Sequence, residues 1–288
     1  MSKVTALNRQ PGDIDWQHLW QQSCLRRKSD RNDKEFWNRR SPSFASKVNE
    51  SPYAGDFLKL IAPEPHWSVL DVGCGPGTLA LPLARLVREV TAIDFSQGMI
   101  DILTERCRAE SLTNVVPRVL DLRDDWDAAG IAQHDVVIAS RSLVVEDLRG
   151  ALLKLADKAR HRVIISSLVG DGPFDRKIFA AIGRDFDRGP DYIYVYNLLH
   201  QMNIFADIGF ITNLQENRMN AGACPDKQRV YTDIEDAVQS FHWMVRDMTS
   251  QEEERLRNYL KKNLVRRENG YALAYAHPVR WAIISWRT

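Results

Sequence analysis

The chain has 288 residues, 44% hydrophobic and 27% charged, with a formal net charge of +1, an ordinary globular composition with no strong electrostatic reason to bind nucleic acid or a membrane. No apolar segment approaches the roughly 20 residues needed to span a bilayer. Cys24, Cys74, Cys107 and Cys224 lie far apart with no CxxC and no His/Cys cluster, which argues against a disulfide framework or a bound metal and fits a reducing cytoplasm.

The N-terminal stretch MSKVTALNRQPGDIDW has no apolar h-region, so no signal peptide is read there. Residues 1–50 hold ten Lys/Arg against six Asp/Glu, including Arg26-Arg27-Lys28 and Arg39-Arg40. This reads as a solvated helix face, with a small anion-binding surface as the alternative. Residues 13–62 read as helical and rich in aromatics (Trp16, Trp20, Phe36, Trp37, Phe44, Tyr53 and Phe57). The expected organisation is an N-terminal helical cap over 1–62 and a main domain over 63–288.

From residue 68 onward, short Val/Ile-rich runs at 68–72, 89–94, 115–120, 135–140 and 162–167 alternate with helical patterns at 78–88, 97–110 and 147–160. Near-continuous apolar runs mean burial on both faces, as in a parallel sheet, and their alternation with helices predicts an α/β, doubly wound sheet. Gly-rich punctuation bounds an insertion at about 170–191. A helix at 192–206, a strand near 210–219, a second insertion with two helices at about 230–265, and a last strand at 279–286 complete the reading.

The run VLDVGCGPGT, residues 69–78, places glycines at 73, 75 and 77 directly after the first strand. Each glycine costs conformational entropy but permits positive φ and close approach of another molecule. Open parallel sheets bind ligands at the carboxyl ends of their strands, where these glycines stand. A GxGxxG dinucleotide fingerprint would put its third glycine at position 78, which is Thr78. The second strand ends in Asp94, 21 residues after Gly73, where a carboxylate can accept from a ribose diol.

VLDVGCGPGTLA, VTAIDFSQGMI and HDVVIASRSL together resemble motifs of the class I S-adenosylmethionine-dependent methyltransferases, particularly the type-11 group that includes quinone-biosynthesis enzymes. The resemblance covers about residues 67–168 and implies a mostly parallel seven-stranded Rossmann-like sheet with S-adenosyl-L-methionine as cofactor. It also implies that the loop carrying Gly73, Cys74, Gly75 and Gly77 lies under the methionine part, with Asp71 reaching the ammonium. Asp94 would bind the ribose, Phe95 and Met99 would pack on the adenine, and Asp121 beside Leu122 would accept from its amino group. Ser140 and Arg141 would border the transfer site, and Arg40 would clamp the cofactor carboxylate. Structural readings stand beside these: Asp71 capping a turn, Asp94 capping a helix, Met99 as core, and Cys74 as a small filler rather than a nucleophile.

The acceptor side is read from residues alone. The segment at 139–143 lacks the Pro-Pro-aromatic pattern of exocyclic-amine methyltransferases, and no carboxylate cluster for a metal lies near residue 140. Tyr192, Tyr194 and Tyr196 suggest a flat, partly apolar acceptor pocket, or else core packing. Tyr196, His200 and His242 are candidate proton acceptors, with a satisfied structural histidine as the other reading of His242, and Arg141 either anchors a carboxylate or phosphate on the acceptor or pairs with a nearby acid. The expected function is transfer of a methyl group to a small aromatic or conjugated molecule, by a monomer or homodimer in the cytoplasm. A tRNA methyltransferase and a non-catalytic cofactor-binding partner subunit are the alternatives.

Overall fold

The Val/Ile-rich runs all become strands of one sheet, because buried backbone must find its hydrogen bonds in neighbouring strands. The computed structural model describes residues 11–26, 34–48, 52–213, 230–245 and 247–288. Strands β1 (Ser68–Val72), β2 (Glu89–Asp94), β3 (Val115–Val119), β4 (His134–Ser140), β5 (Ala159–Val169), β6 (Asp207–Asn213) and β9 (Val279–Arg287) form a seven-stranded sheet in the order β3-β2-β1-β4-β5-β9-β6. All neighbours pair in parallel except β9, which runs antiparallel between β5 and β6. Strand order reverses between β1 and β4, so the crevice where such a sheet takes a ligand lies beyond their carboxyl ends.

Helices cover both faces. Tyr53, Phe57 and Ile61 of α3 (Tyr53–Ile61) share one core with Leu83 of α4 (Ala80–Ala84) and Leu103 of α5 (Gln97–Ala109). Trp20 of α1 (Trp16–Arg26) shares the other with Leu148, Leu152 and Leu155 of α6 (Leu148–Asp157) and with Val195, Leu198 and Leu199 of α8 (Tyr192–Gln201). Helix α2 (Lys34–Val48) packs on α5. The described helices α1, α2 and α3 are therefore distributed over both faces and the ligand edge, rather than gathered into one cap. Arg27 and Lys28 of the basic run lie outside the described residues, as do Cys224, the side chain of Phe44 and the strand expected beyond residue 213.

Helix α4 is shorter than the apolar spacing suggests. Asn114 donates its side-chain amide to the carbonyls of Ala84, Val87 and Arg88 at 2.8, 3.2 and 3.2 Å, ending the helix so that the chain can enter β2. Leu86, inside the helical pattern at 78–88, lies beyond the end of α4 and is exposed. Helix α8 ends before residue 206 because Asn203 adopts a left-handed φ of 58°, a common helix stop.

The two insertions form one lobe with a third core. Phe174 joins Ile178 and Ile182 of α7 (Arg176–Ile182), Val238 and Phe241 of α9 (Ile234–Phe241), and Leu256 and Leu260 of α10 (Ser250–Asn263). A hairpin of β7 (Leu264–Arg267) and β8 (Gly270–Leu273) closes it. Arg184 bridges to Glu252 at 2.5 Å, and the Tyr275 hydroxyl donates to Asp175 at 2.7 Å. The first insertion leaves from the end of β5 and the second returns to the start of β9, where Val169 pairs with Arg280. The lobe thus joins the sheet at its carboxyl edge.

Candidate active site

The glycine loop follows β1 at the switch point. Gly73, Gly75 and Gly77 have φ of 70°, 55° and 92°, a region that costs an L-residue roughly 1–2 kcal/mol. A Cβ on Gly73 would stand 2.3 Å from Ser142 Cβ, and one on Gly77 would stand 2.6 Å from Leu103 Cδ1. Backbone conformation and neighbouring side chains therefore already require glycine at 73 and 77, where the sequence pattern alone suggests an approaching ligand. The N–H groups of Gly73 and Cys74 both donate to the Ile93 carbonyl, at 2.8 and 3.0 Å. Burial, then the charge of Asp71, pushes the Cys74 thiol well up, which leaves it inert as a nucleophile.

Asp71 lies beneath this loop at 1% exposure. It accepts from the Ala80 N–H, while its Oδ2 is buried with no hydrogen-bond partner. Burial, then the neighbouring charge of Asp94, raises its pKa to about 7. A buried carboxylate oxygen in that state fits a group that brings a cation, such as an amino-acid ammonium. Asp94 accepts from the Gly75 N–H and the Ser96 N–H, each at 2.9 Å. Burial pushes its pKa up despite those two bonds. Asp94 thus braces the loop, and Ser96 rather than Asp94 caps α5 by accepting from the Met99 N–H at 3.3 Å.

Helix α2 closes over this end of α5. Asn38 Oδ1 accepts from the Ser96 hydroxyl at 2.7 Å and from the Gly98 N–H at 3.2 Å. Arg106 reaches back from α5 to donate to the Pro76 carbonyl in the glycine loop and the Ala45 carbonyl in α2, at 3.1 and 2.8 Å. Arg40, on the same helix, stacks over Phe36 at 5.6 Å. Phe95 is half-buried. Met99 is buried yet belongs to none of the three cores of the described residues.

Asp121 is half-buried and held by Arg123, whose Nη2 lies 2.5 Å from Oδ2. Burial opposes its ionisation, but the Arg123 side chain and backbone outweigh that and keep its pKa below the usual range. Leu122 packs on the second core.

At the end of β4, the Ser140 hydroxyl shares hydrogen bonds with Tyr53 Oη (2.7 Å) and Ser166 Oγ (3.2 Å). Arg141 has a φ of 60°, and its N–H donates to Ser166 Oγ at 2.9 Å. Its guanidinium lies 4.2 Å from the Tyr53 ring centroid and 5.6 Å from that of Trp281. Ser142 donates to the Val72 carbonyl at 2.7 Å, tying this turn to the glycine loop.

The three other candidates lie elsewhere. Tyr196 is half-buried on α8, a helix that packs against β5 and α1. His200 is exposed in the last turn of α8, its ring 5.7 Å from that of Phe205. The next strand, β6, starts at Asp207, paired with Ser285 near the end of β9, which puts His200 at the amino edge of the parallel strands, opposite the glycine loop. His242 lies in the lobe at the end of α9, with Nε2 3.0 Å from Glu253 Oε1. The structure brings together Asp71, the glycine loop, Asp94, Ser140 and Arg141, and does not bring His200 to them. Tyr53, Ser142, Ser166 and Trp281 join that site without having been singled out for it, since their partners are distant in sequence.

Residues 69–161 match the family model described as a methyltransferase domain. The chain carries a methyltransferase domain over that stretch. It is 29% identical over 276 residues to an uncharacterized protein of Haemophilus influenzae, across 95% of this chain and 97% of that one. A 23S rRNA (uracil(1939)-C(5))-methyltransferase RlmD of Pseudomonas entomophila is 50% identical over 80 residues, which span 26% of this chain and 18% of that enzyme. The fold is also similar to that of the YcgJ protein of a Bacillus, with a TM-score of 0.51 and 11% identity across 82% of this chain and 97% of that one. The unmet oxygen of buried Asp71 fits the ammonium group of S-adenosylmethionine, the cofactor that the sequence resemblance implies.

Proposed function

We propose that the chain is an S-adenosylmethionine-dependent methyltransferase that acts on a small aromatic or conjugated molecule, taken up at the carboxyl end of β4 beneath the α7/α9/α10 lobe. The observation that carries the reading is the guanidinium of Arg141, set against the Tyr53 ring at 4.2 Å and 5.6 Å from the Trp281 centroid, one residue from the side chain that packs on Gly73. Aromatic walls around one fixed charge suit a flat acceptor with a polar handle.

In this reading the Gly73–Gly77 backbone supports the methionine portion of the donor, and Asp71 pairs with its ammonium. Asp94 holds the ribose diol through the lone pairs that Gly75 and Ser96 leave over. Phe95 and Met99 cover the adenine, with Leu122 beside it, and Asp121 contacts the adenine amino group while remaining shared with Arg123. Arg40 stays the candidate for the donor's carboxylate. The bound sulfonium supplies an activated methyl group. The protein's task is then positioning, with the acceptor atom held about 3 Å from that methyl and in line with it, a geometry that alone contributes several kcal/mol. Ser140, Tyr53 and Ser166 order the acceptor wall, and the lobe excludes water from that edge.

Incubation of the protein with radiolabelled S-adenosylmethionine and a cell extract tests the proposal. Label is expected in small molecules; label recovered only in RNA would contradict it.

A further inference from the structure

We propose that the chain forms a twofold homodimer in which β6 pairs edge to edge with β6 of a second copy, running one sheet through both subunits. The pairing does not depend on which acceptor is methylated. The two edges of the sheet are built differently. At one, β3 carries Pro117, which has no N–H to offer, and Arg118, which donates to the Ala129 carbonyl at 2.6 Å. Proline and charge on an outer strand keep another strand away. At the other edge, β6 reads DIGFITN, with no proline and no basic residue. Its seven residues pair with β9 in unbroken register, and among the described residues no strand lies on its outer side. The N–H and C=O groups of alternate residues therefore face outward in a regular row, a template for one more antiparallel strand.

Apolar side chains flank that row on both faces. Ile211 belongs to the first core, and Leu60 of α3 lies over Gly209 beside it, where a Cβ would stand 2.9 Å from Leu60 Cδ2. Ile208 packs on the second core, so the alternation of a strand puts Phe210 on that face. There its ring meets Tyr192 edge-on, with centroids 5.5 Å apart. Leu60 is exposed, and Phe205 and Phe210, at 79% and 52%, are the two exposed phenylalanines of the described residues. Both stand at this edge. Aromatic side chains are enriched in protein interfaces.

Charge selects a second copy as the occupant. Asp56 and Lys59, 3.6 Å apart on α3, line a groove with Phe210, Ile211 and Thr212. They lie about one helical turn apart, so a twofold axis between two antiparallel β6 strands reverses their order in the second copy. Each Lys59 then faces an Asp56 across the axis, as a self-complementary surface requires. Residues 214–229, which follow β6 in sequence, read LQENRMNAGACPDKQR, without the β-branched or aromatic residues that favour a competing strand.

Sedimentation of the full chain across a micromolar concentration series tests the proposal, and a dimer is expected. Phe210→Lys should weaken dimerisation at least tenfold, with far-UV circular dichroism unchanged, because it sets two like charges beside the axis. Val116→Lys, on an exposed residue of the opposite sheet edge, should leave dimerisation as it is. Phe210 also packs within its own chain, so a second series reads the charges. Lys59→Glu should weaken the dimer at least threefold, and adding Asp56→Lys to that variant should restore it. Hydrogen exchange in residues 207–213 should be slow in the dimer and fast in the Phe210→Lys monomer. A wild-type chain that stays monomeric overturns the proposal, and slow exchange at 207–213 in that monomer gives the edge to another segment of the same chain. A dimer that survives both Phe210→Lys and Lys59→Glu, or that Val116→Lys breaks, places the interface elsewhere and overturns it too.

Discussion

Asp71 is an acid in a place that disfavours its charge: 1% exposed, with one oxygen unmet. Its pKa of about 7, raised by burial and then by Asp94, lies above the value of 3.8 for an unperturbed aspartate. The folded apo protein therefore holds a proton that the unfolded chain loses near pH 4. Stability contributed by this residue is present below pH 4 and lost as pH rises to 7. Urea unfolding of the apo protein at pH 5 and pH 7 should show that loss, and Asp71→Asn should remove it. An ammonium beside Asp71 favours the ionised form, so ligand binding releases the proton. The Kd for S-adenosylhomocysteine should fall about tenfold between pH 6 and pH 8, as expected for one group titrating near 7. Calorimetry across that range checks this, and a pH-independent affinity would contradict the pairing. Asp71 and Asp94 were legible in the sequence because each ends an apolar run just where a parallel sheet opens. The bracing of Gly75 by Asp94 and the pairing of Asp121 with Arg123 were not, since both depend on how loops fold back.

At the scale of elements, Arg106 links α5, the glycine loop and α2 through two carbonyls. Arg106→Met keeps much of the packing volume but leaves both acceptors without their donor, a loss on the order of 1–3 kcal/mol for each group if it stays buried. The expected outcomes are faster hydrogen exchange in residues 34–48 and at least a threefold weaker hold on S-adenosylhomocysteine. Unchanged exchange in α2 would show that the helix is held by its other contacts. The strands and most helices were readable from the period of their apolar residues. Helix α4 was overestimated because its stop comes from the side chain of Asn114, some thirty residues on. The β7/β8 hairpin was missed: Arg267 pairs with Gly270, so its loop is Glu268-Asn269, and the glycine falls in the strand rather than at the centre of the turn. His200 was proposed on residue type alone, and topology sets it at the opposite edge of the sheet.

At the scale of the molecule, a sheet with its own two cores carries a lobe with a third. Leu256 is fully buried in that lobe, and Leu256→Ala should cost about 2–5 kcal/mol locally. Hydrogen exchange should then rise in residues 174–182 and 234–273 while β1 and β2 stay protected. S-adenosylhomocysteine should still bind, and methyl transfer to the acceptor should fall. A uniform rise across the sheet would mean that lobe and sheet unfold as one. The donor site depends on the glycine loop and on the acid that braces it, and calorimetric titration with S-adenosylhomocysteine tests that dependence most directly. One molecule should bind per chain, and Asp94→Ala, with its far-UV circular dichroism unchanged, should bind at least tenfold more weakly. No binding at millimolar ligand, or equal binding by the variant, would contradict the account.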